Sequence, residues 1–551
     1  MATTPLEKTE LRGRNGNKMA DDAAIIEESG SLDSGRNKDS VVMARMGKKQ
    51  QLNRSFGFIP VLALSSTVLS SWESICATFA AGLVNGGSVA LVYGFILAAI
   101  GTMCLAASLA EMASITPISG AQYHWTAQFA PKRAAAFVSW MQGWITVFAW
   151  QAALTSVAFL AATQMQGLFV LQYPDYIYKR WHATLLMWAL TAITFVINVF
   201  GIRILPHLET LAGACHVLFF FALLIPLVCL APTTSSAKFV FTDFQNQGGW
   251  SSDGMSWCLG LLTATFSLVG FDGAVHMSEE VSNAPLTIPR VMVLTILFNG
   301  LLAFGFLLAI LFSIGDVERA LNTPTGYPII EIFYQATGST HATTVMMGAI
   351  IVIDFTSAFG ILAATSRLTW AFARDRGLPF SDFFAYLNPH YKIPIRAIAL
   401  VATFVLLLSL INIASTTAFN AILSLTTLAL YCSYLIPISL LVLKRLKNEP
   451  IPFASQTLPS TRNHALPPVP ACEHHGTWDT QTHSDPAMAW MESDALHQTD
   501  AQNSSAPYSS HHAHDSSFQH SNGSVVHGGA DAWAARAQVD APFPAHLHEP
   551  S

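Results

Sequence analysis

From residue 57 to residue 443 the chain alternates long apolar runs with short polar gaps. A membrane-spanning helix needs about 20 apolar residues. Ten runs reach that length, over 58–82, 88–112, 136–166, 182–202, 206–230, 255–279, 290–314, 342–370, 395–413 and 418–443. The gaps are short, and several contain Pro or Gly, as in Pro117–Gly120 and Pro285–Pro289. The pattern predicts an all-α, multi-pass membrane protein whose core spans residues 57–447. Residues 1–56 are polar and show no signal peptide, so the first run is expected to act as an uncleaved anchor. Residues 448–551 hold 12 of the 19 histidines, with much Ser, Ala and Pro and no long apolar run. Neither end can bury enough apolar surface to offset its chain entropy, so both are expected to be disordered.

Composition excludes the soluble alternative. Charged residues are 11% of the 551, against about 25% in soluble chains. They also concentrate at the ends: residues 1–56 carry 10 Lys/Arg and 8 Asp/Glu, whereas residues 57–443 carry only 13 and 15. With the N-terminus inside, the cytoplasmic segments hold 22 Lys/Arg and the external loops 4. That asymmetry predicts both termini in the cytoplasm; the protein is expected to be integral to the plasma membrane, with lipid as its solvent. A net charge of −6 and the lack of a basic patch laced with aromatics exclude nucleic acid as a partner. Six of the seven cysteines lie inside apolar runs and read as small hydrophobes, not as a disulfide framework.

Two runs carry polar chemistry at their middle. The sixth reads Gly270-Phe271-Asp272-Gly273-Ala274-Val275-His276, an acid flanked by glycines inside a span. An Asp at mid-membrane costs roughly 2.5–3.5 kcal/mol on insertion scales. A broken helix that turns backbone and carboxylate toward a watery cavity accounts for the acid and for the glycines. The plainer alternative is a glycine packing face with an acid near the interface. The first run places Ser70, Ser71, Trp72 and Glu73 in a comparable position, although without a glycine. Hydroxyls there can refill backbone groups freed by a break, or can simply pack helices. Segments 1–5 and 6–10 would then form an inverted repeat around a central site, since five helices return the chain to the opposite face.

Other intramembrane polar groups are less distinctive. Asp354 in the eighth run either lines the cavity and accepts a proton, or pairs with another buried group. His216 reads as a packing histidine, Glu111 and Glu209 as acids reaching water near helix ends, and Arg367, Arg374, Asp375 and Arg376 as a solvated helix end. Cys472-Glu473-His474-His475 and His511-His512-Ala513-His514 offer no closed tetrahedral spacing, so neither a metal nor a cofactor is expected. No HExxH, Walker A or GxSxG motif is present, which leaves an enzyme without a candidate centre.

Four stretches together resemble the fungal permeases of the amino acid/choline transporter family, within the amino acid–polyamine–organocation superfamily. They are Ala110–Ser114 with Pro117–Trp125, Ser139-Trp140 with Gly143-Trp144, Gly270–Asp272 with His276–Glu280 and Pro289-Arg290, and Ser366-Arg367 with Phe372–Asp375. The resemblance implies a five-plus-five inverted-repeat transporter core whose broken helices 1 and 6 cradle the substrate. It further implies import of an amino acid, GABA or choline, commonly with a coupling proton. Carried over by position, Ser70, Ser71, Trp72 and Glu73, together with Gly270, Phe271, Asp272, Gly273 and His276, would line the site. Glu73, Asp272 and Asp354 become the candidates for proton coupling. An amino acid or GABA would present its carboxylate to a half-helix N-terminus, and choline would use the faces of Trp72 and Phe271. The family has twelve helices, and here the histidine-rich tail stands where helices 11 and 12 would be. A non-transporting nutrient sensor on the same scaffold is the alternative.

Overall fold

A computed structural model describes residues 39–451 apart from 45 and 174. The expectations for residues 1–38 and 452–551, including the tail histidines and Cys472, lie outside the described residues. Among the described residues, nine helices are long and apolar enough to cross a membrane.

The first span is two helices, α1 (Phe58–Leu69) and α2 (Ser71–Val84), joined at Ser70. It is followed by α3 (Gly87–Ile115), the short α4 (Ala121–Phe129), α5 (Ala135–Gln172), α6 (Arg180–Phe200) and α7 (Leu205–Leu230). The sixth predicted span is not a continuous helix. It consists of α8 (Asp253–Phe266), a non-helical stretch and the single turn α9 (Gly273–His276). Gly270 sits at φ +106°, a conformation open to glycine and strained for other residues, which explains why the run stops there. Then come α10 (Ala284–Phe312), α11 (Pro328–Thr337), α12 (Thr340–Arg374), α13 (Ile395–Ala414) and α14 (Thr416–Leu446).

Two apolar clusters divide the bundle along its length, and both breaks fall where one gives way to the other. Leu64, Val68 and Leu69 of α1 join one cluster, and Trp72, Phe79 and Leu83 of α2 join the second. In the sixth segment Leu268 belongs to the second cluster and Phe271 to the first. Around this axis α1 packs on α7, α10 on α3, α12 and α14 on α5, and α8 on α2 and α3. Exposed leucines such as Leu218, Leu301 and Leu407 sit on the spans, where lipid is their solvent.

Two expectations about connections change. The link after α10 is not a short loop, because it folds into α11, which buries Ile329, Ile330, Ile332 and Phe333 completely. Ten residues are too few to register as a span. The N-terminal side of the core also begins earlier than residue 57. Phe56 is fully buried and forms a parallel bridge with Val281, so this part of the polar N-terminus is packed rather than unstructured. The backbone supplies the reason: Phe56 N–H donates to the Glu280 carbonyl at 3.0 Å, and Ser282 N–H donates to the Phe56 carbonyl at 3.0 Å.

Candidate functional site

The site is built from the two breaks. Ser70 alone separates α1 from α2, in the left-handed region at φ 39° and ψ 53°. Its N–H donates to the Ser66 carbonyl at 3.0 Å, and its hydroxyl donates to the Thr67 carbonyl. The Ser71 hydroxyl donates to the Asn299 carbonyl at 2.9 Å, tying the start of α2 to α10. Side-chain and capping bonds thus hold a left-handed serine where glycine would be the easier choice. The first-turn position of Glu73 in α2 sets its carboxylate against the positive end of that helix.

Glu73 is fully buried, and its Oε1 lies 2.7 Å from His216 Nδ1 on α7. The histidine expected to be a packing residue is therefore the partner of the first-segment acid. Three further groups surround this pair with unused polar atoms. Glu73 Oε2, His216 Nε2, Trp72 Nε1, Asp354 Oδ2 and both amide atoms of Gln164 are buried without a hydrogen-bond partner. Asp354 lies within electrostatic range of Glu73 and beside Gln164. The Trp72 ring is walled by His216 at 5.9 Å, Phe220 at 6.2 Å and Phe306 at 5.0 Å between centroids. Buried polar groups are normally satisfied, so a knot of orphans at a helix break is where a polar ligand fits.

Asp272 contrasts with Glu73. Its Oδ2 accepts from Gln122 Nε2 at 2.6 Å and from Trp150 Nε1 at 3.2 Å and lies 3.2 Å from His276 Nε2, while Oδ1 accepts from the Tyr434 hydroxyl. The second ring nitrogen of His276 lies 2.9 Å from the Ser119 carbonyl. All polar atoms of Asp272 and His276 are thus engaged by protein. Phe271 is buried with its ring 5.0 Å from that of Tyr434. Gly273 admits a close approach, since a Cβ there would stand 3.0 Å from the Trp150 ring and 3.3 Å from Val68.

The end of the bundle where the chain enters α1 is closed by ion pairs. Arg374 grips Glu279 with two bonds of 2.9 Å, and Arg367, fully buried, donates to Glu280 at 2.7 Å. These arginines were expected on a solvated helix end. They are instead drawn inward because the sixth segment carries their acids past them. Lys48 pairs with Asp375, whose second oxygen accepts from the Tyr123 hydroxyl at 3.1 Å. Burial alone would raise the Asp375 carboxyl, but the Lys48 and Arg374 cations outweigh it and hold the group below its ordinary value. Burial, followed by the Asp375 charge, pushes the Tyr123 phenol well up. Burial likewise lowers Arg54, with Asp39 and Glu279 opposing, and its guanidinium donates to the Ser278 carbonyl at 3.3 Å and to that of Val281. Glu209, expected near water, is buried with Thr67 donating to it at 3.1 Å, whereas Glu111 is exposed and paired with Arg445.

Sequence reasoning found both acids and missed most of what holds them. Gln122 lay in a recognised motif with no role attached. Trp150 and Tyr434 sit in apolar spans where an aromatic residue attracts no notice.

With this geometry in place, comparison with known proteins is informative. The family model described as amino acid permease matches residues 56–461. A choline transporter of Saccharomyces cerevisiae is 31% identical over 429 residues, covering 77% of this chain and 75% of that protein. The amino-acid permease BAT1 of Arabidopsis thaliana is 32% identical over 443 residues, covering 77% and 84%. An uncharacterized amino-acid permease of Schizosaccharomyces pombe is 28% identical over 423 residues, covering 76% and 78%. The family match begins at Phe56, where the packed core begins, and takes in both helix breaks: the chain belongs to the amino acid permease family.

Proposed function

We propose that the protein is a secondary active transporter that imports a small nitrogenous solute, an amino acid, GABA or choline, driven by protons. On this reading it works in the plasma membrane with both termini cytoplasmic, as an inverted five-plus-five repeat with one break in each half. The observation that carries it is the unfilled Oε2 of Glu73, buried at the first break among other unfilled acceptors. Leaving such an atom unpaired costs about 1–3 kcal/mol or more, and a ligand ammonium would remove that cost.

The orphan set also ranks the substrates. Its acceptors, Glu73 Oε2, Asp354 Oδ2 and Gln164 Oε1, outnumber its donors, Trp72 Nε1 and Gln164 Nε2. They favour an ammonium bearing N–H donors over the methylated head of choline, which offers none. Trp72 is already walled by three other rings and Phe271 is packed on Tyr434, which weakens an aromatic cage for choline. Ser70, Ser71, Trp72, Glu73, Gly270, Phe271 and Gly273 form the lining in this reading, with the free amides of the α2 N-terminus receiving the solute carboxylate. Asp272 and His276, which spend their polar atoms on protein, serve proton coupling instead. Asp354 stands beside the solute.

The test is radiolabelled uptake of amino acids, GABA and choline in cells lacking their own permeases, normalised to surface copies. Saturable uptake that quickens in acid medium is expected. Glu73→Gln should lower it about tenfold to a hundredfold, the worth of a hydrogen bond to a charged group. A surface-delivered protein that moves no member of the panel would overturn the proposal and leave the nutrient sensor.

A further inference from the structure

We infer that His276 carries the coupling proton in the closed state, with Asp272 as its counter-ion and the Ser119 carbonyl as the contact that keeps the proton in place. The inference rests on the proton-driven transport proposed above and names the atom that bears the proton.

The Ser119 carbonyl can only accept, so the His276 nitrogen 2.9 Å from it, Nδ1, must carry a hydrogen. The other nitrogen, Nε2, faces Asp272 Oδ2 at 3.2 Å. Oδ2 already accepts from Gln122 and Trp150, and Oδ1 accepts from Tyr434. Gln122 Nε2, Trp150 Nε1 and the Tyr434 hydroxyl thus donate to a carboxylate that has about four acceptor positions, which leaves one for Nε2. A proton on Asp272 would displace one of those donors. It follows that Asp272 is the acceptor throughout and that Nε2 also carries a hydrogen. A ring with hydrogens on both nitrogens is an imidazolium. The closed state therefore holds a cation–anion pair, both side chains fully buried.

Removing that one proton would aim a lone pair of Nε2 at a carboxylate, with both side chains fully buried. Nearby charges do not substitute for it. Glu279, with Oε1 3.4 Å from the Ser119 N–H, is neutralised by Arg374, and Glu280 by Arg367. Among the elements packed against α9, α1 has no ionisable side chain, α10 has only Arg290, which is exposed, and α12 carries His341, Asp354, Arg367 and Arg374, the two arginines being spent on the acids just named. Tyr434 on α14 is committed as a donor.

The partners of the pair lie on different elements, and that links the proton to conformation. Ser119 and Gln122 lie at the turn into α4, whereas Asp272 and His276 lie in the sixth segment. If the sixth segment parts from that turn, His276 loses its carbonyl, Asp272 loses the Gln122 amide, and water enters. The Nε2–H bond then breaks, its proton passes to water, and neutral imidazole and carboxylate are hydrated separately. Closing again requires a proton from the compartment to which the site was last open.

The experiment uses the full chain in proteoliposomes with a pH-sensitive dye inside, loaded on the outside with the solute that the uptake panel identifies. Wild type should acidify the lumen in step with solute entry. His276→Gln still offers Asp272 an N–H but cannot gain a proton. It should lose solute-coupled acidification by more than about tenfold and lose the pH dependence of uptake, while exchange of internal for external solute stays measurable. A role confined to packing would instead lower exchange and acidification together, and that result overturns the inference. Asp272→Asn and His276→Asn carry the same test if His276→Gln does not reach the membrane. Acidification per solute at the wild-type value in any of these variants also overturns it. Solute entry without acidification by the wild type removes the proton-driven reading itself, a different result from variants that stay coupled.

Discussion

Replacing Arg374 by methionine should open the end of the bundle at which the chain enters α1. The substitution keeps a long apolar stem and removes the cation gripping Glu279, a fully buried carboxylate. Among the described residues, only the Ser119 N–H, at 3.4 Å, would then hydrogen-bond that acid, with the Arg54 cation within electrostatic range. Removing one partner of a buried ion pair costs about 3–5 kcal/mol. Arg374 retains 14% side-chain exposure, so the lower figure of about 3 kcal/mol applies. In a conformation with this end open Glu279 meets water and bears no such cost, so the loss falls on the closed state alone. The ratio of closed to open molecules should fall roughly 100-fold, at about 1.4 kcal/mol per factor of ten. Cys76 offers the readout: it is fully buried on α2, one turn beyond Glu73. In a chain keeping Cys76 as its one cysteine, maleimide labelling from that side should quicken up to about 100-fold. Replacing Glu279 by methionine as well removes the stranded charge and should bring the rate most of the way back. Equal labelling of Arg374→Met and its parent would refute the idea that this pair holds the closed state.

A second expectation concerns the close approach of α8 to the end of α2: a Cβ on Gly260 would sit 2.0 Å from the Asn85 carbonyl oxygen. Gly260→Ala should exceed the usual overpacking cost of about 1–3 kcal/mol and abolish a monodisperse peak after detergent extraction. Gly254→Ala, with nothing within 4 Å, should extract like wild type. A third concerns acid. Asp375 is held below its ordinary value of 3.8, so its stabilising effect is present above that value and is lost as pH falls through the lower folded value. Melting temperature should therefore drop below about pH 4, and Lys48→Met should move the onset of that drop to higher pH. An unchanged onset would show that Lys48 does not hold Asp375.

The spans were legible because lipid imposes a length and a polarity that no soluble core demands, and Asp272 was legible because it violates that polarity. Its glycine neighbours disclosed the break in the sixth segment. Ser70 disclosed the other break less plainly, since a serine in the left-handed region looks like any other helix hydroxyl. The partners were a different matter. His216 meets Glu73 across 143 positions, and Tyr434 meets Asp272 across 162. Nothing local marks either partner, because an aromatic side chain is at home in a span and a lone histidine reads as a packing residue. Arg367 and Arg374 were misread for a related reason. At the end of an apolar run a basic residue ordinarily reaches water, and the acids that draw these two inward arrive from residues 279 and 280. The buried helix α11 escaped notice because ten residues fall below the length at which hydropathy speaks.

The N-terminal arm behaves as a tether whose load falls on the sixth segment. Gln50 reaches the Glu279 carbonyl at 2.8 Å, Arg54 the carbonyls of Ser278 and Val281, and Phe56 bridges to Val281, while Lys48 ties the same arm to Asp375. A protein trimmed to begin at Phe58 would keep the spans and forfeit these ties. Whatever is fastened upstream of residue 48, whether a fusion partner or a modifying group, pulls through this arm on the strand-like residues beside α9 before it pulls on α1. The arm is thus a handle on the sixth segment, and cutting it should change the working of the protein without removing a membrane span.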